Sequence, residues 1–440
     1  MSDHAERARQ WVHVGSGFFG LLLRFLTWWQ AAALAAFALA FNVVALPRIG
    51  GRRLYRPVDE ARGFPLGILL YPLSVLLLIL IFPSRLDIVA AAWAILAFGD
   101  GAATLVGRGR HLPWNREKTI AGTVGFIVFA SVGAVVWAAW TAPTVTPAPP
   151  TAFLVAAPVA AAVAAGFVET IPVRLDDNIS VPATAAVVLW IASLMSAQAA
   201  AASADATLGA LPIAIALNAV MSWLGYRAKT VSVSGAVGGA IVGAIIYAAG
   251  GGGAWLLLFV TFAAASIASR LGVERKTLLG IAEERGGRRG AGNAIANCGV
   301  AAIAAVAAVT TPYKAGALVA FVAALTAGGS DTVASEVGKA WGRSTFLVTS
   351  LGRVKPGTPG AMSLEGTAAG LVAAFALAAI GLALGLVPHS AVVRIVAAAT
   401  AGALVESALA ATLEGPGILN NDVLNFINTA VAAAAAIAIT

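Results

Sequence analysis

Apolar runs of about twenty residues recur from one end of the chain to the other, broken by short polar or glycine-rich intervals, and each is long enough to cross a bilayer as a helix. They lie near 5–26, 28–46, 65–82, 86–107, 120–140, 151–169, 181–199, 205–225, 233–250, 253–270, 293–311, 313–337, 361–386, 391–413 and 422–440. This pattern predicts an all-α, polytopic integral membrane protein of roughly fifteen transmembrane helices. Two spans form a hairpin around Pro83-Ser84-Arg85, and the uncharged TAPTVTPAPP joins another pair.

The intervals differ in charge. Arg and Lys crowd into 47–62, 108–118, 270–292 and 339–356, whereas 141–150 and 250–253 carry none. Alternating sides along the chain puts the basic loops on one face, which the positive-inside rule assigns to the cytoplasm. The N-terminus is then inside and the C-terminus outside, as expected of a bacterial inner membrane protein. MSDHAERARQ lacks the pattern of a cleaved signal and is expected to be retained. Trp114, Trp255 and Trp341 fall near predicted interfaces and read as belt residues.

Composition sharpens the class. Of 440 residues, 60% are hydrophobic and only 11% charged, less than half the charge of a soluble domain. Abundant Ala and Gly suit close helix packing in lipid. The single Cys298 excludes an intramolecular disulfide and any multi-cysteine metal site.

The polar residues that interrupt this background repeat. Asp100-x-x-Ala103-Thr104-x-x-Gly107 returns as Asp331-x-x-Ala334-Ser335-x-x-Gly338, and Thr119-Ile120-x-Gly122-Thr123 as Ser363-Leu364-x-Gly366-Thr367. Val168-Glu169-Thr170 returns as Val405-Glu406-Ser407, and Asp176-Asp177-Asn178 is matched by Asn420-Asn421-Asp422. Blocks recurring in one order predict two parallel related modules, 1–202 and 203–440, parted in the Ala/Ser-rich stretch near 200–205.

An acid at a membrane helix end is costly and points to function. Each module offers an Asp, a Glu and an Asp/Asn cluster beside glycine turns and cations. Carboxylates supply the hard oxygens that Mg²⁺ takes, while amides and cations suit polyphosphate. Gly122-Thr123 and Gly366-Thr367 open helices whose first amides face a possible phosphate, with Lys118 and Lys355 just before them. No HExxH, GxSxG, Walker A or CxxC pattern is present. The plainer alternatives are that such acids are solvated caps, that Gly-Thr pairs serve packing, and that basic loops set topology. Repetition of acid, glycine and hydroxyl in one order favours function.

With these residues in view, the N-terminal half resembles the phytol kinase and dolichol kinase family. The likeness is carried by Arg9-x-x-x-His13-x-x-x-Gly17, GDGAATLVGR, the Leu112-Pro113-Trp114-Asn115 loop with Lys118-Thr119, and Glu169 through Asp176-Asp177-Asn178. The C-terminal half resembles the phytyl-phosphate kinase family through Arg288-Arg289, Asn293, Asn297-Cys298-Gly299-Val300, SDTVASEVG, KPGTPGAMSLEGTAAG, VESALAATLEG and LNNDVLN. Ala121, where relatives carry Glu, and Gln10, where they carry a basic residue, depart from the first pattern; the second copy has Glu365.

The resemblance implies a fusion of two consecutive kinases. The first would phosphorylate a prenol such as phytol or geranylgeraniol, and the second would convert the monophosphate to the diphosphate, with CTP or another nucleoside triphosphate and Mg²⁺. Nucleic acid is not an expected partner. Asp100, Glu169, Asp331 and Glu406 are the catalytic candidates, and Asp100, Asp176, Asp177, Asp331 and Asp422 the metal ligands. Substrate or nucleotide would be held by His13, Arg108, Lys118, Thr119, Gly122, Thr123 and Asn178 in the first module. In the second, Arg288, Arg289, Asn297, Lys355, Gly366, Thr367, Asn421 and Asn425 take that role. A CDP-lipid-forming cytidylyltransferase would draw on the same chemistry. A lipid or solute transporter would instead place its acids at the bilayer midplane.

Overall fold

The computed structural model describes residues 3–49, 65–112, 115–170, 176–281, 288–415 and 419–439. Most of the basic 47–62 loop, and Trp114, lie outside the described residues. Helices dominate, as the apolar runs require. Among the described residues, eleven are long and apolar enough to span a membrane, and Trp28–Val44 and Leu66–Ile81 are shorter apolar helices. The chain is an all-α polytopic membrane protein, and it divides into two compact units, Met1–Leu194 and Met195–Thr440.

In the first unit α1 (Asp3–Gly17) runs on through a 3-10 turn, Phe18–Arg24. Then come α2 (Trp28–Val44), α3 (Leu66–Ile81), α4 (Leu86–Val106), α5 (Ile120–Thr141), α6 (Thr151–Thr170) and α7 (Asp177–Leu194). The core forms around α4, where Ile88 to Ala92 and Ala94 to Ala97 are fully buried. Arg85, the cation in an otherwise uncharged turn, is neutralised by a two-pronged pairing with Asp87 at 2.9 and 2.8 Å. The second half of α4 widens into a π-helical turn, Ile95–Asp100, which ends on Asp100. Such turns gather at functional sites, and no periodicity in the sequence announces one.

The second unit comprises α8 (Ala197–Arg227), α9 (Val233–Arg270), the short α10 (Val273–Leu278), α11 (Ala291–Thr310) and α12 (Lys314–Trp341). A three-stranded antiparallel sheet follows, ordered β2-β1-β3 from Thr345–Leu347 (β1), Arg353–Val354 (β2) and Ala361–Ser363 (β3). Helices α13 (Leu364–Ala383), α14 (Val392–Leu409) and α15 (Asn421–Ala438) complete the unit. Its core centres on α12, buried from Val319 to Ser330.

Three local expectations meet the structure as follows. The stretch near 200–205 is helical inside α8, because alanine propagates a helix better than any other residue. The runs at 233–250 and 253–270 are two helical segments within Val233–Arg270, parted at Gly251, whose φ of 73° only glycine adopts cheaply. Trp255, expected in the belt, donates its indole N–H to the buried Asn218 at 3.0 Å and stacks its ring on Phe259.

The repeated hydroxyl–glycine block builds the same crossing in each unit. Thr119 caps α5 by accepting from the Gly122 amide, and Ser363 caps α13 by accepting from Gly366, each at 3.1 Å. A Cβ on Gly122 would stand 3.0 Å from the Ala103 carbonyl oxygen, and one on Gly366 2.5 Å from that of Ala334. Thr123 and Thr367 return their hydroxyls to Thr119 and Ser363 carbonyls. The Gly122 and Gly366 amides expected at a phosphate are therefore taken by the caps. These positions seat the Asp-bearing helix against the next one.

Candidate active site

In the first unit the chain brings three acids to one place. Asp100 ends the π turn of α4, Glu169 lies in the last turn of α6, and Asp177 opens α7. One carboxylate oxygen from each lies within 4.8 Å of the others, the metal-capable group among the described residues. Glu169 is 3% exposed, so its charge must be compensated on the spot. Lys118 does this by donating to Glu169 and, at 3.1 Å, to Asp177. Burial alone would depress the lysine, but Asp177 and then Glu169 outweigh it and hold its pKa above the usual range.

Lys118 is placed by a tight loop. Leu112 donates its amide to the Lys118 carbonyl at 3.0 Å, His111 bridges to Thr119, and the Asn115 side chain donates to the Thr170 carbonyl at 3.1 Å. His13, from α1, points Nε2 at Asp100 (3.5 Å) and at the Leu96 carbonyl (3.3 Å). Tyr71 meets His13 edge-on at 4.6 Å and accepts the Trp93 indole N–H at 2.8 Å. Tyr71 and Trp93 escaped sequence reasoning, since aromatics in apolar helices carry no signal. Asp176 does not join the acid trio. Its Oδ1 accepts from the Asn178 amide and side chain, at 3.0 and 2.7 Å. Arg108 is exposed.

These groups form the polar end of a cavity of about 1280 Å³, lined there by His13, Asp100, Lys118, Glu169, Asp176, Asp177 and Asn178. Gln10 and Asn178 also line it, each with a buried side-chain oxygen that has no hydrogen-bond partner. Most of the remaining wall is apolar, with Phe19, Leu22, Leu23, Leu34, Phe37 and Phe41. Phe37 is 67% exposed, so the cavity opens along α2 on a flank that faces lipid in a membrane.

The second unit repeats only part of this. Asp331, on α12, and Glu406, on α14, are neighbouring carboxyls. Two such groups repel as anions unless a proton or a cation lies between them. Asp422 does not close a trio with them. It packs instead on the start of α11, where a Cβ on Gly292 would stand 2.3 Å from its Oδ2. Asn425 is buried, Asn421 exposed, and Asn297 donates to the Asn293 carbonyl at 3.0 Å. Arg288 and Lys355 are exposed, and Arg289 donates to Ser269 at 3.2 Å. Glu336, which sequence reasoning passed over, holds two lysines: Lys276 at 2.6 Å and Lys339 at 2.9 Å.

Comparison with known proteins now bears on this geometry. Residues 216–433 match the family described as integral membrane protein DUF92. An uncharacterised membrane protein of Synechocystis is 40% identical over 202 residues, covering 45% of this chain and 78% of that protein. The chain belongs to the DUF92 family. Among other relatives, the chloroplastic protein VTE6 of Arabidopsis thaliana is 38% identical over 217 residues, 47% of this chain and 64% of its own length. A probable chloroplastic phytol kinase 2 of Glycine max is 32% identical over 205 residues, 42% of this chain and 64% of its own. No solved structure matches.

Proposed function

We propose that the protein is a bifunctional isoprenoid-alcohol salvage kinase of the bacterial inner membrane, with both sites facing the cytoplasm. The first unit phosphorylates a prenol and the second extends the monophosphate to the diphosphate, CTP being the favoured donor. One observation carries the reading: a trio of carboxylates with a lysine closes the polar end of a cavity whose other walls are apolar and open toward lipid. A hydroxyl at the head of a long apolar chain fits that division. The likeness to a probable phytol kinase supports it.

Mg²⁺ suits the donor set, being a hard ion that takes oxygen ligands, and Asp100, Glu169 and Asp177 would hold it. When bound, the ion neutralises polyphosphate charge. The protein aligns the reactants. The prenol oxygen bonds to the γ-phosphorus, the bond from that phosphorus to the bridging oxygen breaks, and the diphosphate nucleotide leaves. The hydroxyl proton passes to a carboxylate of the trio, with His13 set against Asp100. Lys118 keeps the buried carboxylates compensated.

The test is incubation of the purified full chain with CTP or ATP and a panel of prenols. Prenyl phosphate and nucleoside diphosphate are expected, and Asp100→Asn should lower kcat about a hundredfold or more. A CDP-lipid with released pyrophosphate would replace the kinase by a cytidylyltransferase, and wild-type turnover in Asp100→Asn would remove Asp100 from the chemistry.

A further inference from the structure

Beneath the cytoplasmic end of α12 lies a charged group that the acid pair does not explain. Lys276 and Glu336 are each 2% exposed and paired at 2.6 Å, and Lys276 also donates to the Ser269 carbonyl at 2.8 Å. A buried ion pair adds little net stability over an apolar replacement, so its presence invites another reason. Glu336 carries a second cation on its other oxygen: Lys339, 2.9 Å away and 31% exposed. Two ammonium groups on one carboxylate leave a net positive charge, and the outer one reaches the surface.

The sequence repeat supplies an independent observation. Asp100 is followed eight residues later by Arg108, just after Gly107; Asp331 is followed eight residues later by Lys339, just after Gly338. Both modules thus carry a cation in the same register from the acid. Lys355, the lysine that the sequence pattern favoured, is exposed in the loop between β2 and β3.

We propose that Lys339, anchored by Glu336 on the helix that carries Asp331, is the anion-binding cation of the second unit and takes a phosphate oxygen. Glu336 is a positioning residue: it fixes the ammonium and cancels the burial cost of Lys276. The same chemistry serves a lipid phosphate or the polyphosphate of a nucleotide, and assigning either rests on the kinase reading above; the anion site itself does not.

The experiment measures binding without turnover, on the full chain in detergent with Mg²⁺ present. Inorganic tripolyphosphate and a prenyl monophosphate are titrated separately against wild type, Lys339→Met, Lys339→Arg and Lys355→Met. Lys339→Met leaves the Lys276–Glu336 pair intact and should fold. It should weaken at least one probe about tenfold, the loss of one charge-assisted hydrogen bond, while Lys339→Arg and Lys355→Met bind as wild type does. Weakening confined to tripolyphosphate assigns the nucleotide, and weakening confined to the monophosphate assigns the lipid. Equal affinity of wild type and Lys339→Met for both probes overturns the proposal. Lys339-dependent binding without any turnover of prenyl monophosphate would instead sink the kinase reading and leave the anion site standing.

Discussion

Gly366 approaches Ala334 so closely that a Cβ would lie 2.5 Å from the alanine carbonyl oxygen, nearer than real side-chain carbons come to backbone. Gly122 meets Ala103 in the same way at 3.0 Å. Because the obstacle is backbone, neither helix can yield without shifting the Asp that it seats. Gly366→Ala should therefore destabilise the protein by about 1–3 kcal/mol, the range for overpacking, and Gly122→Ala by less. Thermal unfolding in detergent measures both, and an unchanged midpoint for Gly366→Ala would contradict the crossing.

Lys118 offers a second test. Replacing it by Met strands Glu169, which is 3% exposed, among like charges. Breaking a buried pair costs on the order of 3 kcal/mol. The raised lysine pKa gives the sign of the pH dependence: the ammonium's contribution is complete below the ordinary lysine value and is lost only as pH climbs through the higher folded one. The stability gap between wild type and Lys118→Met should thus persist between about pH 7 and 9. Millimolar Mg²⁺ should narrow that gap, since a divalent ion can replace the missing cation. A gap that ignores Mg²⁺ would argue that these oxygens do not hold the ion.

How much of this was legible beforehand divides along physical lines. The membrane helices were, because a run of about twenty apolar residues has one stable form in lipid. Asp100 and Glu169 are legible as acids at helix ends, Asp177 as an acid in the loop after Glu169, and His13 as a candidate substrate contact. Their meeting point was not, since it depends on the π turn that ends at Asp100 and on the loop that aims Lys118. Gly122 and Gly366 were read as phosphate cradles because a capped helix start and a close helix crossing use the same residues. Asp422 was assigned to the metal by its place in the repeat, yet it packs on Gly292. Lys339 stood in register with Arg108 all along and was hidden by a second basic residue, Lys355, nearer the Gly-Thr block.

Orientation follows from the one-sided basic loops and is open to direct measurement. In a Cys298→Ala background, a cysteine in place of Arg110 should react with an impermeant thiol reagent only from the cytoplasmic side. A cysteine replacing Thr144 should react only from the opposite side. Labelling of position 110 from outside would reverse the membrane topology and remove the sites from the nucleotide pool.

The division of labour between the units is the most demanding prediction. Asp331→Asn breaks the Asp331–Glu406 pair and leaves the Asp100, Glu169 and Asp177 trio untouched, so prenyl monophosphate should accumulate. Asp100→Asn should stop the first step, while supplied monophosphate still proceeds to the diphosphate. Two sites are expected because each unit holds its own Asp-bearing helix, its own capped glycine crossing and its own lysine paired with a buried glutamate. The units are nevertheless unequal, since the first closes three carboxylates and the second only a pair. That inequality predicts unequal dependence on Mg²⁺, with the first step saturating at the lower concentration. Following both products over time in the two variants distinguishes the cases. If Asp331→Asn also halts monophosphate formation, the units share one site and the two-step reading fails.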